Sequence, residues 1–164
     1  MHDELFMQMC LAEAEEAYRA DEVPVGALIL TSDGHPVAKA HNLTVHMTSP
    51  VGHAEVLAIT AAAKALKNFR LVGCTLYVTK EPCIMCAGAI IEARIKRLVF
   101  GCFDQKRGAF GSLIDVNELP LNHKVDVQGG VLRERSENLL RRFFKQRRGT
   151  EVVITVPTRN RLYA

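Results

Sequence analysis

No stretch of this sequence is apolar for long enough to cross a membrane. The longest runs, such as Val23 to Leu30 (VPVGALIL), fall well short of the ~20 residues that a bilayer requires. No basic-then-apolar leader opens the chain, so it is expected to be unexported and cytoplasmic. Cysteine is scarce: five residues, an odd number at uneven spacing, argue against a secreted disulfide framework and for reduced thiols. A dominant charge is lacking too, because 21 Lys and Arg against 18 Asp and Glu leave only +3, too mild a bias to establish a nucleic-acid partner. There is no internal repeat and no low-complexity tract. What is present, 164 residues of which 48% are apolar and 24% charged, suits one domain burying roughly 70% of its unfolded surface. That domain is expected over residues 1–149, with 150–164 as a C-terminal tail whose role the sequence does not disclose.

Charge becomes informative when it is split along the chain. Residues 1–22 hold seven acids and one base, whereas residues 133–164 hold nine bases and three acids. Leu5, Phe6, Met9, Ala12 and Ala17 recur at helical spacing, which predicts an amphipathic helix over 3–20, ended by Pro24. Two apolar runs, 25–31 and 36–41, flank Asp33-Gly34 and predict a β-hairpin. Residues 42–52 read as loop, 53–67 as an Ala-rich helix, and 74–79 (CTLYVT) as a strand. A helix from Pro82 to about Arg94 and a strand at 97–101 make a crossover, hence a parallel pair. A weak strand at 124–128 and a basic helix at 134–148 follow. These elements in this order imply an α/β fold, a three-layer αβα sandwich on a mixed sheet of about five strands.

The residues that carry chemistry are His53-Ala54-Glu55 and Pro82-Cys83-Ile84-Met85-Cys86, both where the chain enters a helix. Two cysteines three apart at a helix start can turn both sulfurs to one point, and helix N-terminal N–H groups favour thiolate. One imidazole makes three protein ligands, a set that suits zinc and leaves a fourth position for water, as a catalytic rather than a structural site does. Glu55 is then available to move protons. Residues two apart on a regular helix diverge, so His53 and Glu55 can converge only if His53 lies at the frayed first turn.

H-x-E followed by P-C-x-x-C is the signature of zinc-dependent nucleoside and nucleobase deaminases, a class that includes bacterial tRNA adenosine deaminase. From about residue 5 to 148 the chain resembles the bacterial tRNA adenosine deaminases of the TadA type. The resemblance runs through EVPVGA (22–27), HN (41–42), GHAE (52–55), TLYVT (75–79), EPCIMCAGAI (81–90), GSL (111–113) and FFKQRR (143–148). It implies a cytidine deaminase-like fold and one zinc per subunit, held by His53, Cys83 and Cys86, with Glu55 as proton shuttle. It implies deamination of the wobble adenosine of an arginine tRNA anticodon to inosine with release of ammonia, by a cytoplasmic homodimer. It also sets Asn42, Asp104, Lys106, Phe144, Arg147 and Arg148 against the RNA.

Each RNA-facing residue has a plainer reading: a turn residue at Asn42, a solvated loop at Asp104 and Lys106, a solvated helix face at Arg147 and Arg148, and core packing for one of Phe143 and Phe144. Adjacent residues on a helix point apart, so one ring can pack while the other meets a base. Cys10 and Cys74 read as buried apolar residues, and Cys102, after a strand end, as a possible neighbour of the site. The chain departs from the family at Lys80, where relatives carry an apolar residue, and at Gly52, in place of Ala, which is expected to loosen the turn before His53. Two rival functions remain open on sequence. A guanine, cytosine or nucleoside deaminase would share the zinc site without needing the basic helix. A non-catalytic, zinc-stabilised RNA-binding protein would have a fourth protein ligand and Glu55 turned to solvent.

Overall fold

The computed structural model describes residues 2–149, so the predicted tail at 150–164 lies outside the described residues. Helix α1 (His2–Arg19) leads into strands β1 (Gly26–Leu30) and β2 (Pro36–His41), then α2 (Ala54–Leu66), β3 (Thr75–Lys80), α3 (Ile84–Glu92) and β4 (Arg97–Cys102). A short 3-10 turn (Val116–Glu118), β5 (Asp126–Gln128) and α4 (Arg133–Gly149) complete it. The sheet runs β2-β1-β3-β4-β5. β1 is antiparallel to both β2 and β3, whereas β3, β4 and β5 are mutually parallel. The mixed five-stranded sandwich expected from the element order is the fold observed.

All five residues of β1 are buried, because the sheet is covered on both faces. Successive strand side chains point to opposite faces. Leu28 and Leu30 therefore join Met7 and Cys10 of α1 with Tyr77 and Val99. Ala27 and Ile29 join Leu76, Val78, Leu98 and Phe100 against Ala54, Ala58 and Ala62 of α2 and Ile90 of α3. The alanines let α2 lie close to the sheet. Gly26 does the same for α1, since a Cβ there would overlap the backbone at Cys10 and Ala14. The N-terminus of α1 is fixed by charge. Arg97 donates to both oxygens of Asp3 at 2.9 Å and the Tyr77 hydroxyl donates to Oδ1 at 2.7 Å. The Arg97 hydrogen bonds outweigh burial and hold the Asp3 carboxyl at about 2.

Most element ends fall within a residue of expectation; the larger differences have local reasons. α3 begins at Ile84 rather than Pro82, because Cys83 is still extended (φ −73, ψ 174). The last strand is trimmed to Asp126–Gln128 because the Asn117 side chain takes both backbone groups of Val125, accepting from its N–H at 3.0 Å and donating to its carbonyl at 2.9 Å. The 3-10 turn, capped by the Asp115 side chain on the Asn117 N–H, had no periodic signal to announce it. Parallel pairing of β3 with β4 carries the chain across α3 and brings the loops after both strands to one end of the sheet, where crevices in α/β folds bind their ligands.

Candidate active site

Three loops meet at the carboxyl ends of β3 and β4: residues 42–53 entering α2, 81–83 entering α3, and 103–115 after β4. They enclose a cavity of about 210 Å³ whose lining includes Asn42, His53, Glu55, Lys80, Cys83 and Asp104. His53 is the N-cap of α2 in an extended conformation (φ −75, ψ 148). It precedes the helix rather than sitting within it. That resolves the helical-spacing difficulty, since His53 and Glu55 face one cavity because only Glu55 has entered helical geometry. Cys83 caps α3 in the same way, and Cys86 follows one turn on. Two helix N-termini, each a partial positive charge, thus point at the cluster.

His53 Nδ1 lies 3.7 Å from Cys83 Sγ and 3.4 Å from Cys86 Sγ, with all three atoms within 4.8 Å of one another. Zinc bonds of about 2.0–2.3 Å in a tetrahedron separate ligand atoms by about 3.5 Å, and two thiols with one imidazole are soft enough for zinc rather than magnesium or calcium. The residues present therefore fit zinc. Proton sharing already favours one thiolate. The hydrogen bond from Cys86, then His53, draws the Cys83 thiol down to about 3, while the same bond and burial push Cys86 far up. His53 is raised, chiefly by its bond to Cys83. Among the described residues this is the one group of metal-ligating side chains so placed. Cys102 is buried but outside it, and Cys10 and Cys74 are buried as expected.

Glu55 is buried in the cavity wall, and burial raises its carboxyl above the usual range. It is not turned to solvent, and no fourth protein ligand joins the three among the described residues, so the arrangement is that of a working site rather than a structural clasp.

Two carboxylates that sequence reasoning passed over shape the cavity. Glu22 is fully buried and accepts from the His46 N–H at 2.8 Å, His46 Nδ1 at 3.0 Å, and Thr44 Oγ1 and Asn42 Nδ2 at 3.3 Å each. Burial opposes its ionisation, but the His46 bonds and their neighbours hold it below the ordinary range. A carboxylate can only accept, so it fixes the Asn42 amide with its NH₂ toward Glu22. Glu81, equally buried, accepts from the N–H groups of Asp104 (3.0 Å), Phe110 (3.2 Å) and Ser112 (3.0 Å), and from the Ser112 hydroxyl. Gly108 has no Cβ because one would overlap the Glu81 carboxylate. The signal was present, as Glu22 and Glu81 open two of the quoted motifs, but nothing in a motif says which distant amides a carboxylate will collect.

The other expected contacts are distributed as follows. Lys80, the departure from the family, bonds Asp104 Oδ2 at 2.7 Å at the cavity rim; burial raises the Asp104 carboxyl, but the bond and charge of Lys80 together with the N–H groups of Lys106 and Arg107 bring it below the ordinary range. Lys106 lies outside that rim, beside Ile84, Leu113 and Ile114. Gly52 does not loosen its turn, which is pinned by Gly52 N–H to the Ser49 carbonyl (3.2 Å) and Leu43 N–H to the Gly52 carbonyl (3.0 Å). On α4, Phe143 is buried and Phe144 is 45% exposed, the split that adjacent helical positions allow. Arg147 covers the Phe143 ring and donates to the Asp21 carbonyl at 2.7 Å, which docks the end of α4 one residue from Glu22. Arg148 is exposed. Phe103 packs edge-on against Phe100.

The cytidine and deoxycytidylate deaminase zinc-binding region matches residues 1–102, which include all three ligand residues and Glu55. The chain is 45% identical over 147 residues to the tRNA-specific adenosine deaminase of Bacillus subtilis, covering 89% of this chain and 91% of that one. It is 43% identical over 147 residues to that of Haemophilus influenzae, covering 89% and 85%. A solved structure from a study of A-to-I editing by tRNA deaminases at the wobble position of transfer RNA superposes with a TM-score of 0.77 at 41% identity, over 82% of this chain and 97% of that one. A guanine deaminase from Nitrosomonas europaea superposes with a TM-score of 0.72 at 27% identity, over 85% and 83%.

Proposed function

The chain belongs to the cytidine and deoxycytidylate deaminase zinc-binding family, and from that premise we propose that it is a tRNA adenosine deaminase. It converts the wobble adenosine of an arginine tRNA anticodon to inosine. One observation carries the reading: likeness to tRNA-specific adenosine deaminases continues well past the zinc-binding region, over 147 residues at 45% identity, against 27% for the guanine deaminase.

His53, Cys83 and Cys86 would hold zinc, which when bound supplies the Lewis acidity that lets water act as a nucleophile near neutral pH. The Glu55 carboxylate takes a proton from the attacking water and delivers it to the adenine ring nitrogen beside the carbon under attack. It then helps to protonate the amino group, which leaves as ammonia while the water oxygen stays on the base. Its burial keeps it basic enough for both transfers. Asn42, oriented by Glu22, presents its Oδ1 as the free end of the amide to the nucleotide. Asp104, with Lys80 on it, forms the rim. Phe144 offers an exposed ring for stacking, and Lys106, Arg147 and Arg148 supply charge for phosphates.

The purified zinc-loaded protein is expected to form inosine in an arginine tRNA anticodon stem-loop, and not to release ammonia from free adenosine, cytidine or guanine. Turnover of guanine with an inert stem-loop would move the assignment to the guanine deaminase reading.

The protein acts as a homodimer in the cytoplasm. Ile84 (65% exposed) and Leu113 (58%) stand with Met85 and Ile114 around an apolar depression beside Cys83, more apolar surface in one place than a water-facing loop requires. Ile84→Asp is expected to turn a dimer into a monomer in sedimentation velocity at micromolar concentration. A wild-type monomer under those conditions would refute the dimer.

A further inference from the structure

The end of the sheet opposite the active site carries a second cavity, of about 530 Å³, where the chain enters the three parallel strands. Arg70 precedes β3, Arg94 and Lys96 precede β4, and His123 and Lys124 precede β5; all five line it. A six-residue strand rises about 20 Å, which sets this cavity about that far from the zinc ligands. No carboxylate lines it, and none of Arg70, Arg94, Lys96 and Lys124 takes part in an ion pair among the described residues. The nearest acid on β5, Asp126, is turned to Arg97 at 3.8 Å.

Several of these groups are held in place. Arg94 donates to Asn122 Oδ1 at 3.1 Å through one nitrogen, which leaves the rest of its planar fork unused. Lys124 is anchored on two carbonyls. His123 Nε2 lies 2.7 Å from the Ile95 carbonyl, which can only accept, so Nε2 carries the proton and the ring is fixed in orientation. Four cations converging from three strand entries without a counter-charge repel one another, and anionic oxygens placed among them would relieve that repulsion. Arginine forks and lysine ammonium groups match phosphate oxygens in geometry and charge.

We infer that this cavity binds phosphate groups, independently of the catalytic pocket and of which base is deaminated. The phosphates come either from a free polyphosphate, such as that of a nucleoside triphosphate, or from the phosphodiester backbone of an RNA reaching past the active site.

Inorganic tripolyphosphate is the probe for the site itself, with the full-length, zinc-loaded protein at about 0.1 M salt so that long-range attraction is screened. The wild type is expected to bind it with displacement of the His123 imidazole resonances. The double charge reversal Arg70→Glu with Lys96→Glu is expected to weaken binding at least tenfold, and the neutral pair Arg70→Gln with Lys96→Gln by less. A charge-matched control, Lys39→Glu with Lys64→Glu, is expected to change it little. The source is read from full-length tRNA. If the reversal also weakens tRNA binding and lowers the salt slope by about 1–2, as for two lost phosphate contacts, the backbone is the ligand. If tRNA binding is unchanged, a free polyphosphate is. Failure of tripolyphosphate to bind the wild type, equal binding by the reversal, or an equal loss in the control overturns the inference. Melting temperature and stem-loop turnover, expected to be unaltered in both glutamine and glutamate pairs, separate a lost site from a lost fold.

Discussion

Glu55→Gln is expected to abolish deamination, lowering kcat by about 10³-fold or more, with one zinc per chain and the melting temperature preserved. Three buried carboxylates stand in or against the catalytic cavity, and they are not equivalent. Glu22 has its oxygens committed to Asn42, Thr44 and two groups of His46, and Glu81 has its own committed to three backbone N–H groups and a hydroxyl. A carboxylate so fully engaged cannot pick up a proton without breaking several bonds. Glu55 is met by its own backbone N–H and the Cys86 thiol, and burial raises its proton affinity. It combines contact with the cavity and readiness to protonate. Glutamine keeps the volume but cannot carry the proton, so the chemistry stops while the packing stays. Desolvating a neutral amide costs less than desolvating a carboxylate, so the folded state should hold or gain stability, the usual trade at a catalytic position. The measurements are inosine formed per second and zinc per chain. A variant within tenfold of wild type would remove Glu55 from the reaction.

The sequence disclosed the parts of this molecule that depend on local periodicity and on residues near one another in the chain. The apolar runs at 25–31 and 36–41 around Asp33-Gly34, helical spacing in 3–20 and the crossover through α3 led to the right elements and to a parallel β3–β4 pair. The pairing of β1 with β3 across more than forty residues was not visible, because Ala27 and Val78 carry no mark of their register. At the site, the cysteine pair and His53 were legible because metal chemistry restricts residue type and spacing together. The convergence of His53 with Glu55 was not, because it depends on where α2 starts, and helix starts are the least determined feature of a sequence pattern. Lys80 stood out as a departure, yet its partner Asp104 could be named only once β3 and β4 were seen to end side by side. Glu81 escaped because a buried carboxylate that collects backbone N–H groups requires little of the side chains that surround it, and Glu22 because its partners Asn42, Thr44 and His46 lie twenty or more residues along the chain.

Glu81→Ala is expected to cost about 3–5 kcal/mol, near the top of what single substitutions do, and to lower kcat/KM by about 10²-fold as well. The loss follows from what the carboxylate holds. Without it the N–H groups of Asp104, Phe110 and Ser112 lose their acceptor together, that of Phe110 in the interior, at about 1–3 kcal/mol for each buried donor left unpaired. In a domain of this size, that lowers the melting temperature by about 6–20 °C. The effect reaches the chemistry because the same loop backs onto the metal ligands. Cys83 pairs with Gly108 in an isolated bridge, and the Ala109 N–H donates to the Pro82 carbonyl at 2.9 Å. A loop released at Glu81 no longer fixes Cys83, nor Asp104 and Arg107 at the rim, so zinc affinity should fall with activity. Glu81→Gln keeps one acceptor and should fall between wild type and the alanine variant in all three measurements. Unchanged melting in Glu81→Ala would mean that the bridge at Gly108 holds the loop unaided. Glu55 and Glu81 are thus distinguished by what is expected to move: at Glu55 activity alone, at Glu81 stability, zinc affinity and activity together, because the role proposed for one carboxylate is to move the proton and for the other to hold the wall against which it is moved.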